Sequence, residues 1–241
     1  MAQFSIEKPK PFYDQIYQKI REMILFMKLT PGERLYEAQL ARLFETSRSP
    51  VREAVKALIK EGLLITDEKS RIFVFKPTFK DIIEIYQCRM ALESFATRLT
   101  TENATDAQIE VIGKIIEETE HYLENEEEYR EQLIQLNTKF HETIIKFSNN
   151  GLLKKQLHEI NSLAYYFRVI NFKGKNRGRE LYEEHKEIYH YIKLRDIQHA
   201  EGSMMNHIGN DLSHFQELNN EGLLDRLLET TIGGKEYEKR A

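Results

Sequence analysis

Residues 47–58 of the 241-residue chain read SRSPVREAVKAL, which is the pattern of an amphipathic helix with a polar start. Val51, Val55 and Leu58 recur at helical spacing and predict one buried face. Either serine can cap the N-terminus, and the proline is tolerated in the first turn, where the backbone amide has no partner. The segment therefore predicts a helix that packs by one side and presents its first turn to solvent.

The sequence on both sides of this helix predicts further small elements. Leu29 to Gly32 contains Pro-Gly and ends a preceding helix, a short helix follows at 38–44, and two apolar runs at 64–66 and 72–75 flank a polar turn. The preceding helix has an apolar stripe made of Phe12, Ile16, Ile20, Met23, Ile24 and Met27. Helix, short helix, capped helix and β-hairpin together predict a winged helix-turn-helix.

The polar start of the capped helix has the chemistry of a DNA-reading surface. Arg48 and Arg52 are four residues apart, so they share a helix face with Ser47 and Ser49. A helix N-terminus attracts phosphate, and guanidinium groups recognise guanine edges or grip phosphates. The alternative is an ordinary surface helix with two solvated arginines, which the surrounding elements disfavour.

Charge and proline content both change near residue 77. Residues 1–76 hold 14 Lys and Arg against 10 Asp and Glu, whereas residues 77–241 hold 21 against 29. All five prolines lie at or before Pro77, so the long remainder is typical of packed helices. We therefore predict a mainly α protein with a DNA-binding domain at 1–76 and an antiparallel helical bundle at 77–241. Apolar runs of at most five residues and a single cysteine lead us to expect a cytoplasmic protein without a membrane partner.

Three of the eight histidines have spacings that predict a metal site. His185 and His207 each lie 11 residues from Asp196, which we place at the bend of a helical hairpin. Eleven residues make about three helical turns, so the two rings become level when the helices pack antiparallel. Asn137 and His141 share one face of another helix and would complete the pocket. Such N/O ligands suit zinc, nickel or a similar divalent ion, while the competing interpretation is a set of scattered core histidines.

The first domain resembles the DNA-binding domain of the GntR family of bacterial transcription regulators. The matching motifs are Gly32-Glu33-Arg34-Leu35, Leu40-Ala41 and the run from Ser47 to Ala54. The resemblance implies a homodimer on a short palindromic operator of double-stranded DNA, with contacts from Ser47, Arg48, Ser49 and Arg52. Two residues depart from the family pattern. Glu45 replaces a turn glycine, and Arg71 replaces the wing glycine, where it would strengthen a minor-groove contact.

The second domain resembles the FCD effector-binding domain of the FadR-type branch of that family. The matching pieces are Arg89-x-x-Leu92-Glu93, Asn137-x3-His141, Ser148-Asn149-Asn150, Glu184-His185 and Asp196-x3-Ala200 with Met204 and His207. The resemblance implies a divalent metal at Asn137, His141, His185 and His207. The first of these is often Asp in the family. Because it is Asn here, all four ligands are neutral, which favours an anionic effector. We expect a small carboxylate with a basic side chain nearby, for which Arg89 is the first candidate and Arg168 the second.

These observations predict a ligand-responsive DNA-binding regulator, which we expect to be a repressor rather than an enzyme. A metal-dependent hydrolase or lyase is the alternative, but it needs a general base beside bound water. Glu142 and Glu184 adjoin histidines in sequence, yet neighbouring helical residues point about 100° apart. A purely architectural DNA binder would not need a polar pocket in the second domain.

Overall fold

The computed structural model describes residues 12–26, 28–172 and 177–229. Within these ranges the chain forms two compact units, one ending at Lys76 and one spanning Pro77–Glu229. We refer to them as the N-terminal unit and the helical unit. Met27 of the predicted apolar stripe and residues 230–241 of the predicted second domain lie outside the described residues.

Three helices build most of the N-terminal unit: α1 (Phe12–Leu25), α2 (Glu37–Leu43) and α3 (Arg48–Lys60). The helix α3 packs against both α1 and α2. It buries the predicted apolar face, including Val51 and Leu58, against the stripe of α1. Phe12 is an exception in that stripe, because it is 54% exposed. The packing leaves the polar face of α3 open to solvent.

The wing is a three-stranded antiparallel sheet in the order β1-β3-β2. The predicted hairpin is formed by β2 (Leu64–Thr66) and β3 (Ile72–Val74). The strand β1 (Arg34–Leu35) pairs with the other edge of β3 and was not predicted. The winged helix-turn-helix prediction is thus confirmed with one additional short strand.

The helical unit consists of packed α-helices, as the proline-free sequence predicted. Capping boxes at Thr78 and Thr105 begin α4 and α5, and the side chains of Asn150 and Asp196 cap α7 and α9. The helices of this unit are α4 (Phe79–Asn103), α5 (Asp106–Tyr122), α6 (Arg130–Phe147), α7 (Gly151–Asn171), α8 (Arg177–Lys193), α9 (Ile197–Asn220) and α10 (Leu224–Glu229), with a 3₁₀ turn at Leu123–Asn125.

The helix α4 lies at the centre of the bundle and contacts α6, α7, α8 and α9. Because neighbours cover it on several sides, it buries polar as well as apolar residues, including Arg89 and Glu93. A buried charge must be paired within the protein to be tolerated. The central position of α4 therefore creates a polar interior in this unit.

Candidate functional site

Three histidine rings converge inside the helical unit. His207 on α9 places its Nε2 3.3 Å from Nε2 of His185 on α8 and 3.2 Å from Nε2 of His141 on α6. Each ring is at most 3% exposed. The hairpin at Asp196 forms as the sequence predicted, with α8 ending at Lys193 and α9 beginning at Ile197. Because both histidines lie 11 residues from Asp196 at the bend, the rings of His185 and His207 come level with each other.

Carboxylates contact the outer nitrogens of two of these rings. His207 Nδ1 lies 2.6 Å from Glu184 Oε2, and His141 Nδ1 lies 2.6 Å from Glu93 Oε2. A carboxylate at Nδ1 favours the tautomer that keeps the proton there and leaves the Nε2 lone pair available for a ligand. Glu184 therefore orients His207 through a hydrogen bond, whereas the contact of Glu93 with His141 is not aligned as a hydrogen bond and acts through its charge. Glu184 accordingly does not face that centre as a general base.

Burial keeps the rings of His141 and His185 in their uncharged form. It lowers the pKa of His141 to about 3 and lowers the pKa of His185 well below its ordinary value. The charges of neighbouring histidines and Arg168 act in the same direction. Two of the three rings are therefore neutral near pH 7, which is the state that binds a metal ion.

The geometry of the cluster fits a divalent ion. Nitrogen ligands at about 2.0–2.1 Å from a tetrahedral zinc ion lie about 3.3 Å from one another. The two Nε2 separations of 3.2 and 3.3 Å match that spacing. If both outer nitrogens carry protons, the inner lone pairs of His141 and His207 face each other at 3.2 Å, and a cation between them would relieve their repulsion.

Asn137 also has the properties of a ligand at this site. It lies one turn before His141 on α6 and is 5% exposed. Its Oδ1 is buried and accepts no hydrogen bond from the part of the chain that the structure describes. A buried amide oxygen without a partner is costly, so a cation beside it would satisfy it. The residues present therefore fit a metal ion.

A network of buried charges adjoins the histidines. The Nε of Arg89 donates to Glu93 Oε1 at 2.6 Å, and Nη2 of Arg177 donates to Asp211 Oδ1 at 2.5 Å. Asn171 donates to the same Asp211 oxygen. Glu93 joins the two groups of residues, because its other oxygen touches His141. Sequence reasoning singled out neither Glu93 nor Asp211 as a site residue.

The two arginines proposed as effector partners differ in their surroundings. Although burial opposes the charged form, Glu93 and Asp211 raise the pKa of Arg89 above its ordinary value. Burial and the charge of Arg89 lower the pKa of Arg168 to about 10, although Glu93 acts in the opposite direction. Arg168 is 1% exposed. Both guanidinium groups are therefore buried, but only that of Arg89 is closely paired.

The predicted DNA contacts lie at the start of α3. Arg48, Ser49 and Arg52 are exposed, and Ser47 precedes the helix with extended backbone. The Ser47 side chain makes no capping hydrogen bond within the described structure, so its hydroxyl is not committed to the helix end. The Nε of Arg52 lies 3.3 Å from Glu37 Oε2 on α2, a contact that the sequence did not indicate.

The wing residue Arg71 is exposed, and it is hydrogen-bonded to Asp67 within the wing. Its Nε donates to Asp67 Oδ2 at 2.6 Å, and its backbone amide donates to Asp67 Oδ1 at 2.9 Å. These hydrogen bonds lower the pKa of Asp67. Ser70 beside it takes the left-handed conformation, with φ of 56°, and Glu45 takes it in the turn before α3, with φ of 50°. Both turns therefore keep the backbone form that glycine favours without having glycine.

Comparison with protein-family models shows two matches. Residues 12–74 match "Bacterial regulatory proteins, gntR family", and residues 84–210 match the FCD domain. The chain belongs to the GntR family. It is thus a DNA-binding transcriptional regulator with an FCD domain rather than an enzyme. The hydrolase or lyase alternative finds no support in these matches.

Relatives of this GntR-family regulator share most of its length. The HTH-type transcriptional regulator YdhC of Bacillus subtilis is 36% identical over 92% of this chain and 99% of its own. The HTH-type transcriptional repressor NanR of Citrobacter rodentium is 26% identical over 83% of each chain. Among solved structures, McbR/YncC of E. coli aligns with a TM-score of 0.74 at 21% identity, covering 88% of this chain and 100% of that one, which shows the shared fold. Within the described ranges, no helix is long and apolar enough to cross a bilayer.

Proposed function

We propose that this regulator is a metal-loaded repressor whose DNA binding responds to a small organic acid. The observation that carries the proposal is the convergence of three buried Nε2 atoms, two of them 3.2 and 3.3 Å from the third. His141, His185 and His207 would hold the ion, with Asn137 Oδ1 as a fourth ligand. The ion, zinc or nickel by its ligand chemistry, would supply a fixed positive charge in the interior.

The chain's own groups would prepare the site for an anion. Glu184 orients the ring of His207, Glu93 places its charge beside His141, and burial keeps the site dry, which strengthens each electrostatic contact. Arg89 and Arg168 supply guanidinium donors in the same interior. Since all four metal ligands are neutral, the charge of the ion would not be cancelled by the protein. An acid bound there would stabilise one arrangement of the bundle over another, which is the requirement for control of a distant site.

On DNA, the first turn of α3 would enter the major groove. Ser47, Arg48 and Ser49 surround the helix N-terminus, and Arg52 lies one turn further on the same face. The arginines would read guanine edges or hold phosphates, and Arg71 at the wing would approach the minor groove. A homodimer would place two such helices on the half-sites of a short palindrome.

Fluorescence anisotropy with the protein's own promoter fragment tests this function. We expect tight binding by zinc-loaded protein, release by a small carboxylic acid, and no response to the acid after the metal is removed with chelator. Elemental analysis of the purified protein measures the metal content, and sedimentation measures the dimer. Binding that ignores both chelator and a broad panel of acids would refute the proposed control.

A further inference from the structure

One carboxylate lies beside an arginine that we place on DNA. The Nε of Arg52 donates to Glu37 Oε2 at 3.3 Å, so a residue of α2 holds a side chain of α3 across the turn between the two helices. The side chain of Glu37 is 23% exposed, and that of Arg52 is 58% exposed. The contact therefore holds one edge of a guanidinium group whose remaining donors stay accessible.

A carboxylate at this place opposes DNA binding in general. Phosphates repel a negative side chain that comes within a Debye length of them, which is about 10 Å at 0.1 M salt. An exposed ion pair also contributes little to folding stability. The position of Glu37 is better explained by an effect on how Arg52 meets DNA.

The contact leaves a defined set of donors free on Arg52. A guanidinium group carries its Nε hydrogen on one edge and two amino groups at its end. With the Nε edge turned to Glu37, the two terminal nitrogens of Arg52 have no partner within the described residues. These two donors can bind O6 and N7 of one guanine together, which is the commonest sequence-specific contact in the major groove.

The charge of Glu37 also acts on the choice between a base and the backbone. An unrestrained arginine can hold any phosphate, and such a contact carries no sequence information. A phosphate that approaches Arg52 is repelled by the neighbouring carboxylate, whereas the uncharged edge of a guanine is not. Arg48, one turn earlier on α3, has no side-chain partner within the described residues and lacks this restraint.

We propose that Glu37 is a positioning residue that directs Arg52 to a guanine and away from the phosphate backbone. The proposal rests on the proposed function, which puts α3 in the major groove. Because Arg52 is already held at its Nε, it loses less freedom when it binds a base, and such ordering is worth about 2- to 12-fold in affinity. Glu37 itself touches no DNA, and its effect on sequence discrimination passes through Arg52.

Fluorescence anisotropy of the full-length protein with two duplexes tests the proposal. One is the duplex that wild-type protein selects from a random-sequence pool, and the other is a scrambled duplex of the same composition. We expect Glu37→Ala to bind the scrambled duplex about 2- to 5-fold more tightly, because a repelling charge is gone. The ratio of the two affinities should fall about 3- to 10-fold. The salt slope on the scrambled duplex should steepen by about 0.9, since the released arginine adds one phosphate contact.

A modified base shows whether Arg52 and Glu37 act on the same contact. Replacement of single guanines in the selected duplex by 7-deazaguanine removes the N7 acceptor. At one position this change should weaken binding by wild-type protein, leave Arg52→Ala unaffected, and have a smaller effect on Glu37→Ala. Glu37→Gln keeps a weaker, neutral acceptor for the Nε, so it should lie between wild type and Glu37→Ala in every assay.

Two controls separate positioning from general effects of charge or stability. Glu22→Gln removes the same charge from an exposed ion pair on α1, where Lys19 lies at 3.4 Å, and should leave the affinity ratio and salt slope unchanged. In an Arg52→Ala background, Glu37→Ala should no longer change the ratio or the slope. A helix-stabilising effect of an acid in the first turn of α2 would instead lower Tm in both backgrounds.

The outcomes distinguish this inference from the proposed DNA surface. An unchanged ratio in Glu37→Ala, or an equal fall of the ratio in the Arg52→Ala background, would overturn the inference while leaving the surface intact. If Arg52→Ala alone keeps the wild-type ratio, the proposed role of Arg52 on DNA fails, and the inference fails with it.

Discussion

Replacement of Glu93 by Gln tests the buried network at its most connected residue. The side chain is 4% exposed and contacts Arg89, His141 and Arg168 at 2.6, 2.6 and 4.0 Å. The variant keeps the shape of the side chain but leaves the arginines without their shared anion. Breaking a buried ion pair by removing one partner costs about 3–5 kcal/mol. For a unit of this size, each kcal/mol lowers Tm by about 2–4 °C, which gives a fall of about 6–20 °C.

Circular dichroism melts of the metal-free protein at pH 7 measure this effect, and competition with a chromophoric chelator measures zinc affinity. We expect zinc binding to weaken about 10- to 100-fold, because the outer nitrogen of His141 loses its anionic partner. Glu201→Gln is the control, since this carboxylate is 29% exposed and pairs with Arg98 on the surface. It should change stability by no more than about 0.5 kcal/mol. A Glu93→Gln protein that melts within 2 °C of wild type would refute the assignment of Glu93 as the shared counterion.

Three further predictions concern the DNA surface, the metal ligands and pH. Arg48→Ala should lose about 1–3 kcal/mol of operator discrimination if the arginine reads a base. If the arginine holds phosphate, the variant should bind all sequences more weakly and with a flatter salt dependence. DNA-binding anisotropy that matches wild type at every salt concentration would contradict both. Asn137→Asp should raise zinc affinity at least tenfold. A tenfold gain needs about 1.4 kcal/mol, and the attraction between a carboxylate and the zinc ion exceeds this even at an effective dielectric of about 20. Unchanged affinity would remove Asn137 from the ligand set. The metal-free protein should lose about 1–3 kcal/mol of unfolding free energy between pH 7 and pH 4, since the folded-state pKa of His141 is about 3 and the unfolded chain takes up its proton near pH 6.5. Urea titrations that show no such loss would contradict the buried, neutral state of this ring.

The sequence predicted the elements whose patterns are local. The stripe of α1 between Ile16 and Ile24, the start of α3 and the hairpin around Asp196 each rest on spacings within about one element, and all three form. The convergence of His185 and His207 followed from their equal distance to the bend. The strand Arg34–Leu35 was missed because two residues are too short to show an alternating pattern.

The contacts that were missed join residues far apart in the chain. Glu93 lies on α4 and His141 on α6, and no periodicity connects them. Asp211 and Arg177 meet only because α8 and α9 pack together. Arg89 was chosen as the arginine of the Arg89-x-x-Leu92-Glu93 match and Arg168 as a weaker candidate. Only their packed surroundings show that Arg89 is closely paired with Glu93, whereas Arg168 lies 4.0 Å from the same carboxylate.

The turn before α3 shows that helix docking, rather than residue preference, sets the local backbone. Glu45 holds a left-handed conformation that costs an L-residue about 1–2 kcal/mol relative to glycine. The unit tolerates this strain because α3 packs against both α1 and α2, which holds the turn between α2 and α3 in place. Position 45 is thereby open to stabilising mutation, and an engineered glycine there should make the DNA-reading unit more heat-resistant.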